Sequence, residues 1–328
     1  MRREAPNITA VVADTDGPPP GLDAVRTLAE VRVAATPGAL ESSLGDTDIL
    51  LVIDFRTTML RQAWPRAGRV KWVHAASAGI DALMFPELVT SGVVVTNARG
   101  VFDRSIAEYV LGVMLLFTKD LHTTIAHQRE RRWQHRESGM LAGRRVVVVG
   151  AGGIGRAIAR LSKAAGMTAT GVARTERNDD PDFGHLVAVD HLQDVLPAAD
   201  FVVLAAPLTD ETRGLIDADV LRAMAPAAYL VNVGRGPLVR EHDLVDALRQ
   251  GWIAGAALDV FEQEPLPADH PLWGMPQVLV SPHMSGDFHG WREALLRQFV
   301  DNLRRWLAGE ALHNVVDKAR GYAAPGDA

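Results

Sequence analysis

Cysteine is absent from this sequence of 328 residues. Without thiols the chain can form no disulfide bond, bind no metal through a thiolate and use no cysteine nucleophile. Long apolar runs are missing too: none approaches the roughly 18 to 20 residues that cross a bilayer, and nothing like a signal-peptide core follows the polar start Met1–Asn7. We therefore expect a cytoplasmic protein that has no membrane partner.

An excess of positive charge is also lacking. The sequence holds 34 Lys and Arg residues against 40 Asp and Glu, which gives a formal net charge of -6. Because nucleic-acid-binding domains usually carry a basic surface, this balance argues against a nucleic-acid partner. No His-Glu-x-x-His pattern occurs among the 11 histidines, so we expect no metal site. The chemistry must then use oxygen and nitrogen groups and an added cofactor.

Hydrophobic residues make up 48% of the chain, whose length suits one large domain or two ordinary ones. Short β-branched runs alternate with helical patterns, which is typical of parallel α/β folds. Several runs are apolar at consecutive positions, as in strands covered by helices on both faces. Two doubly wound, Rossmann-like parallel sheets with a cleft between them fit this pattern best. We predict strands over residues 8–13, 49–53, 70–74, 93–96, 146–149, 168–172, 201–205, 229–233 and 278–280.

The boundary between the two domains is predicted near the polar, glycine-containing turn Asn97–Gly100. Behind it, Ser105–Glu108 has the pattern of a capping box, which predicts a helix from Ile106. The residues Ala107–Leu116 are almost all apolar. This helix is therefore expected to be buried on all sides, against a domain or a second subunit.

The most specific motif lies in residues 145–160, where a run of valines leads into G-x-G-x-x-G and then into a helical pattern. Glycines let backbone N–H groups approach a pyrophosphate, and the N-terminus of the following helix adds about half a positive charge. The strand before and the helix after distinguish this motif from an ordinary tight turn. We predict that a dinucleotide binds here, at Gly150, Gly152, Gly153, Ile154 and Gly155.

The end of the next predicted strand bears on the choice between NAD and NADP. Folds that bind NAD usually carry an Asp or Glu there, which holds the ribose 2′-hydroxyl. This sequence has Ala173 instead, followed by Arg174 and Thr175, with Arg177 close behind. No carboxylate repels a 2′-phosphate and guanidinium groups can bind it, so NADP(H) is favoured over NAD(H). The alternative is that Arg174 and Arg177 are surface cations of a loop.

Three later loops, each past the end of a strand, carry one polar residue in an unusual setting. Arg235 lies between two glycines, Glu264 lies in an acidic loop, and His283 follows Ser-Pro. Singly they could be a surface arginine, a solvated acid and a turn histidine. Ligands bind at the carboxyl ends of strands in doubly wound sheets, so the succession of these three residues predicts that they converge beside a nicotinamide.

Taken together, these motifs resemble the D-isomer-specific 2-hydroxyacid dehydrogenase family over nearly the whole chain. The resemblance implies an enzyme that transfers a hydride between NAD(P)H and a small 2-keto acid or D-2-hydroxy acid. The branch of glyoxylate and hydroxypyruvate reductases is the most similar, and Ala173 departs from the commoner NAD pattern. The shared segments are Ser77–Asp81, Thr96–Gly100, the glycine motif, Ala206–Thr209, Val233–Gly236, Ala257–Pro267 and Ser281–His283.

The resemblance also implies roles for individual residues. His283 is the expected general acid and base, Glu264 the carboxylate paired with it, and Arg235 the cation that binds the substrate carboxylate. Asp259 is expected to contact the nicotinamide end of the cofactor. The remaining implied contacts are Pro207 and Val233 to the cofactor and Ser77, Ala78 and Gly79 to the substrate.

The family likeness further implies a substrate domain of flavodoxin-like fold in residues 1–98 and 287–328, and a dinucleotide-binding Rossmann domain in residues 99–286. It also implies a homodimer, to which the apolar helix and the charged segment around Trp133 would contribute. Candidate residues that select the substrate side chain are Phe55, Arg56, His74 and Trp291.

A different class of function stays open. The alternative is a dinucleotide-sensing or corepressor-like binding protein that keeps this fold without turnover. Such a protein need not retain Arg235, Glu264 and His283 together. Their joint presence favours the enzyme.

Overall fold

The computed structural model describes residues 6–12, 17–54 and 57–323 of the chain. The chain forms two compact units, Met1–Phe102 with Phe288–Ala328 and Asp103–Asp287. The predicted boundaries lie within a few residues of these.

The secondary structure alternates between strands and helices along most of the chain. The strands are β1 (Asn7–Val11), β2 (Glu30–Ala34), β3 (Ile49–Val52), β4 (Trp72–Ala75), β5 (Val94–Asn97), β6 (Arg145–Val149), β7 (Thr168–Ala173), β8 (Arg177–Asp180), β9 (Gly184–Ala188), β10 (Phe201–Leu204), β11 (Tyr229–Asn232), β12 (Gly255–Leu258), β13 (Val278–Val280), β14 (Val316–Asp317) and β15 (Tyr322–Ala323). The helices are α1 (Leu22–Arg26), α2 (Pro37–Leu44), α3 (Met59–Ala63), α4 (Pro86–Thr90), α5 (Asp103–Thr118), α6 (Leu121–Arg129), α7 (Gly153–Ala164), α8 (Leu192–Val195), α9 (Ala218–Ala223), α10 (Glu241–Gln250) and α11 (Trp291–Ala308).

The first unit is built on a parallel five-stranded sheet in the order β2-β1-β3-β4-β5. This is the strand order of flavodoxin-like folds. Every residue of β3 and β4 is buried, as expected for strands covered on both faces. The sequence predicts no strand over β2, because its residues alternate between charged and apolar at the sheet edge. The predicted end of β1 at Ala13 lies outside the described residues.

The second unit is built on an eight-stranded sheet in the order β13-β12-β11-β10-β6-β7-β9-β8. β8 pairs antiparallel with β9, and the other pairs are parallel. The chain order reverses on the two sides of β6, as in dinucleotide-binding folds, where ligands bind outside the carboxyl ends of the strands. The predicted pair of doubly wound, Rossmann-like sheets is confirmed. A membrane-spanning helix would need a longer apolar stretch than any described helix offers.

The N-terminus of α5 differs from the prediction. The helix begins at Asp103, so Ser105 lies inside it rather than capping it. The Ser105 hydroxyl donates to the carbonyl of Ser285 at 3.3 Å, and Glu108 accepts a hydrogen bond from Arg104 at 2.5 Å. The predicted capping box is therefore wrong, because both side chains have partners that the local pattern does not reveal.

The single chain does not bury α5 on all sides, so the predicted burial now depends on a second subunit. Glu108 and Gly112 are exposed, and Leu115 is 37% exposed. An almost continuous apolar run does not reveal which face of a helix its own chain covers. The buried face consists of Ile106, Ala107, Val110, Val113, Met114, Phe117 and Thr118.

His74 is a core residue of the first unit, so its prediction as a substrate-selecting side chain is wrong. It is fully buried in β4, and its ring packs 5.2 Å from the ring of Phe299. Its Nδ1 lies 2.8 Å from the Thr96 hydroxyl, which also accepts a hydrogen bond from Trp72 Nε1 at 2.8 Å. Burial lowers the pKa of His74 from 6.5 to about 3, so the ring is neutral in the folded chain at neutral pH.

We expect this buried ring to make the first unit sensitive to acid. Below pH 6.5 the unfolded chain takes up a proton at His74 and the folded chain does not until pH about 3, so protonation favours unfolding in this window. From about pH 7.5 to about pH 4.5 the free energy of unfolding should fall by about 2–3 kcal/mol through this residue. Denaturant titrations at the two pH values measure the change.

His74→Leu provides the comparison, because leucine fills similar space and cannot bind a proton. The variant should lose this part of the pH dependence while keeping the part that other residues cause. Identical pH dependence in the variant and the parent protein would contradict the assignment.

Candidate active site

The glycine turn after β6 is shaped by close packing of backbone against backbone. Gly150 has a φ of 110°, in the left-handed region, and a Cβ there would lie 2.6 Å from backbone atoms of Ala205 and Ala206. A Cβ on Gly155 would overlap the carbonyl oxygen of Gly150. Only glycine therefore allows α7 to start directly against the end of β6.

Gly152 meets a different requirement. It precedes α7, a helix of 12 residues, and has an ordinary φ of -79°. Within the part of the chain that the structure describes, no heavy atom lies within 4 Å of the position that its Cβ would take. The space in front of the helix N-terminus is thus open to a ligand, and the N–H groups and the helix dipole favour an anion there. These residues fit the pyrophosphate of a dinucleotide.

The two arginines predicted to bind a 2′-phosphate have different surroundings. Arg174 follows the last residue of β7 and is exposed. Arg177 donates a hydrogen bond to the carboxylate of Asp180 at 2.7 Å. Arg156 binds the same carboxylate through two hydrogen bonds of 2.8 Å. Asp180 thus already engages Arg177, whereas Arg174 lies at the strand end where dinucleotide-binding folds hold the adenosine ribose.

These charges also appear in the pKa shifts of the neighbouring carboxylates. The hydrogen bond from Arg156 is the largest cause that lowers the pKa of Asp180, and Arg177 adds to it. The pKa of Glu211 is lowered chiefly by the hydroxyl of Thr209, and the charge of Arg174 contributes. Asp180 is therefore a permanent counter-ion for Arg156 and Arg177 at neutral pH.

His283 and Glu264 form a hydrogen-bonded pair. Nδ1 of His283 lies 2.8 Å from Oε2 of Glu264, and the two side chains are 22% and 21% exposed. The other carboxylate oxygen of Glu264 accepts a hydrogen bond from the N–H of Phe261 at 3.1 Å. The carboxylate therefore fixes the orientation of the imidazole through Nδ1.

The loop that carries His283 is held by Asp259, which follows β12 and is 1% exposed. The N–H of His283 donates to the carbonyl of Asp259 at 2.8 Å. The two oxygens of the Asp259 side chain accept from the N–H groups of Met284 at 2.9 Å and Ser285 at 2.8 Å. Asp259 therefore determines the path of the backbone on the C-terminal side of His283.

Arg235 lies on a loop held by Asn232, the last residue of β11. The Asn232 side chain donates to the carbonyl of Arg235 at 2.9 Å and accepts from the N–H of Gly234 at 3.1 Å. A Cβ on Gly236 would overlap the carbonyl of Phe261, so this loop packs directly on the backbone next to Glu264. The neighbouring strands β11, β12 and β13 thus bring the predicted Arg235, Glu264 and His283 loops to one edge of the sheet.

The substrate loop predicted at Ser77–Gly79 belongs to the first unit and follows β4. All three of its carbonyls accept hydrogen bonds from that unit: from the N–H of Ala98, from Nδ2 of Asn97 and from the Ser77 hydroxyl. The loop is therefore rigidly held with its carbonyl oxygens engaged by the protein. Its contact with a substrate stays a prediction.

The other predicted residues are distributed as follows. Pro207 follows β10 and is exposed, Val233 follows β11 and is buried, and Thr175 is exposed. Phe55 and Arg56 lie outside the described residues. Within the described part of the chain, no group of three or more His, Asp or Glu side chains is arranged to hold a metal ion.

Comparison with known proteins identifies the family. The sequence pattern described as "D-isomer specific 2-hydroxyacid dehydrogenase, NAD binding domain" matches residues 111–285, more than half of the chain. The chain belongs to this dehydrogenase family. The resemblance inferred from the motifs is thereby confirmed, and the family's cofactor-binding domain coincides with the unit that carries the glycine turn and the His283–Glu264 pair.

Relatives of this family member include both curated proteins and solved structures. A glyoxylate reductase from Korarchaeum cryptofilum is 33% identical over 265 residues, which cover 78% of this chain and 79% of that protein. A D-isomer specific 2-hydroxyacid dehydrogenase from Xanthobacter autotrophicus, solved with NADPH and MES, is 32% identical with a TM-score of 0.80 and coverage of 97% and 100%. An NADPH-dependent glyoxylate/hydroxypyruvate reductase from Sinorhizobium meliloti, solved with NADP and sulfate, is 26% identical with a TM-score of 0.84 and the same coverage.

Two glycine substitutions should separate folding from cofactor binding in this dehydrogenase. Gly155→Ala places a methyl group on the Gly150 carbonyl and should lower the free energy of unfolding by about 1–3 kcal/mol. Gly152→Ala adds a methyl group to open space at an allowed φ, so stability should change by less than about 0.5 kcal/mol. The same methyl group would obstruct the pyrophosphate and should raise the Kd for NADPH at least about tenfold.

Denaturant unfolding and titration of NADPH fluorescence measure the two effects. A Gly152→Ala variant that binds NADPH as tightly as the parent protein would show that the pyrophosphate does not approach this turn.

Proposed function

We propose that this chain reduces small 2-keto acids of the glyoxylate or hydroxypyruvate type to D-2-hydroxy acids, using NADPH. The observation that carries the proposal is the 2.8 Å hydrogen bond between His283 and Glu264 at the edge of the cofactor-binding unit. It supplies an oriented proton donor where a doubly wound sheet binds its ligand. The relatives from Korarchaeum and Sinorhizobium, named for glyoxylate and glyoxylate/hydroxypyruvate reduction, support the choice of substrate.

The reaction requires a proton as well as a hydride. When bound, the reduced nicotinamide supplies a hydride for the carbonyl carbon of the keto acid. His283, protonated, donates the proton on Nε2 to the carbonyl oxygen as negative charge develops there, so the product is the neutral alcohol. Glu264 holds the ring through Nδ1 and stabilises its positive charge before the transfer. In the reverse direction the neutral ring accepts the hydroxyl proton.

The substrate carboxylate needs a cation and hydrogen-bond donors. Arg235 can donate two parallel hydrogen bonds to a carboxylate, which a lysine cannot imitate. Its loop packs against the backbone next to Glu264, which supports a position close to the proton donor. The N–H groups of Ser77, Ala78 and Gly79 are the further donors in this proposal.

Turnover separates this proposal from the dinucleotide-sensing alternative. Oxidation of NADPH, followed at 340 nm with glyoxylate, hydroxypyruvate, pyruvate and phenylpyruvate, should occur with at least one of the first two. His283→Ala should lower kcat about 10²- to 10⁴-fold while the Kd for NADPH stays unchanged, because the imidazole acts on the proton and not on the dinucleotide. Tight NADPH binding without oxidation of any keto acid would favour the sensor.

The preference for NADPH over NADH rests on Arg174 and Thr175 in this proposal. Both follow β7 and are exposed, and the two solved relatives were crystallised with NADPH and NADP. A guanidinium on a 2′-phosphate forms charge-assisted hydrogen bonds that NADH cannot receive.

Arg174→Ala should raise the KM for NADPH about 10- to 100-fold and change the KM for NADH less than about twofold. Arg177→Ala is the matched control, since Arg177 already binds Asp180, and it should leave the KM for NADPH within about threefold of the parent value. Equal losses with both cofactors in Arg174→Ala would contradict a contact to the 2′-phosphate.

The chain is also proposed to act as a homodimer. The supporting feature is the exposure of four large apolar side chains on α5, α6 and the segment after α6, namely Leu115, Leu121, Ile125 and Trp133. Exposed apolar surface of this kind marks protein contacts. Light scattering tests the proposal, and a mass of 35.4 kDa, that of one chain, would contradict it.

A further inference from the structure

Helix α5 touches both ends of the loop that carries His283. The hydroxyl of Tyr109 lies 2.6 Å from the hydroxyl of Ser281, and the hydroxyl of Ser105 donates to the carbonyl of Ser285 at 3.3 Å. Tyr109 has no place in the motifs that identify the family, because it lies within an apolar helical run. The two contacts nevertheless connect this helix to residues two positions before and two positions after His283.

The contact at Ser281 continues to Asp259. The Ser281 hydroxyl donates to Oδ1 of Asp259 at 2.6 Å. Since its only proton is used there, Tyr109 must be the donor in the contact between the two hydroxyls. Burial raises the pKa of the Tyr109 phenol, so it keeps its proton over the physiological range. A directed series of hydrogen bonds therefore runs from Tyr109 through Ser281 to Asp259.

Asp259 connects this series of hydrogen bonds to the backbone next to His283. Oδ1 accepts from the N–H of Met284 as well as from Ser281, and Oδ2 accepts from the N–H of Ser285. A shift of the carboxylate moves both peptide groups that follow His283.

The backbone of His283 makes this support necessary. Its φ of 53° lies in the left-handed region, which residues with a Cβ adopt at a cost of about 1–2 kcal/mol. Such a conformation persists only where surrounding contacts hold it. Fewer contacts would let the loop relax and turn the imidazole away from its working position.

We propose that Tyr109 and Ser281 are positioning residues that hold His283 in its catalytic orientation through Asp259. This inference rests on the proposed function, because it concerns the orientation of the proton donor in that reaction. Neither residue touches the substrate or the cofactor in the proposal. Asp259 is 1% exposed and the chain engages both of its carboxylate oxygens, so in this proposal it acts through the His283 loop and not through the predicted contact to the nicotinamide. Their effect should therefore appear in proton transfer and not in cofactor affinity.

The test compares Tyr109→Phe and Ser281→Ala with two controls. Each variant should lower kcat about 5- to 20-fold, the loss expected for one well-placed hydrogen bond, with the Kd for NADPH within about twofold of the parent value. Ser281→Thr keeps a hydroxyl and should restore most of the rate. Tyr229→Phe removes a hydroxyl from the opposite end of the sheet, where the ring stacks on Phe117, and should leave kcat unchanged.

Double variants distinguish positioning from general damage. Because both residues act through one series, Tyr109→Phe with Ser281→Ala should be no slower than Ser281→Ala alone. In a His283→Ala background, Tyr109→Phe should leave the residual rate unchanged, since no imidazole remains to position. An equal loss of rate with and without His283 would overturn the proposal.

A measurement without turnover separates this inference from the proposed function. In protein labelled with ¹³C-histidine, the imidazole resonances of His283, assigned by their loss in His283→Ala, should shift in Tyr109→Phe while those of His74 stay in place. Unshifted His283 resonances would overturn the positioning role even if the enzyme is active. Shifted resonances in a chain that oxidises no NADPH would uphold the hydrogen-bond series and reject the proposed reaction.

Discussion

The proposed chemistry depends on one hydrogen bond, from the His283 ring to the Glu264 carboxylate, and on the backbone that holds both groups in place. The bond spans 19 residues of sequence and joins two different loops, so neither loop alone determines it. The Asp259 carboxylate holds the His283 loop by accepting hydrogen bonds from two backbone N–H groups. The N–H of Phe261 holds Glu264 by donating to its carboxylate. Charge and geometry are thus fixed before a ligand arrives, which is how a protein lowers the cost of placing a proton donor.

The parallel sheet is what brings these loops together. Strands β11, β12 and β13 are neighbours, and the loop that follows each of them carries one of the three polar residues. Gly236 then allows the Arg235 loop to pack directly on the backbone of the Glu264 loop, because a Cβ there would overlap the Phe261 carbonyl. The arrangement arises from strand order, which is a property of the whole unit, and from one missing Cβ, which is a property of one residue.

Those features that depend on local physical requirements could be predicted from the sequence. The glycine turn is one, since a strand, three glycines and a helix in succession allow few other structures. The pairing of His283 with Glu264 is not local, and only the family resemblance predicts it.

Features that depend on distant partners could not be predicted. Ser105 looks like a helix cap, but its partner Ser285 lies 180 residues further along the chain. In the sequence Arg177 looks able to bind a phosphate, but in the folded chain it donates a hydrogen bond to Asp180 at the other end of β8. His74 looks like a possible ligand contact because the sequence does not tell which residues of this strand the covering helices bury. Tyr109 gives no signal at all, since its hydroxyl finds Ser281 only in the folded unit.

The first turn of α7 carries a consequence for the stability of the protein. Gly152 stands where many helices carry a serine or aspartate, and it offers no side-chain oxygen to the first N–H groups of the helix. In the holoenzyme, phosphate oxygens would complete this helix end, so the dinucleotide serves as the missing cap. Cellular cofactor held at a hundred times its Kd would add about 2.7 kcal/mol to the folded state. The lifetime of this enzyme in the cell would then follow the supply of its own hydride carrier.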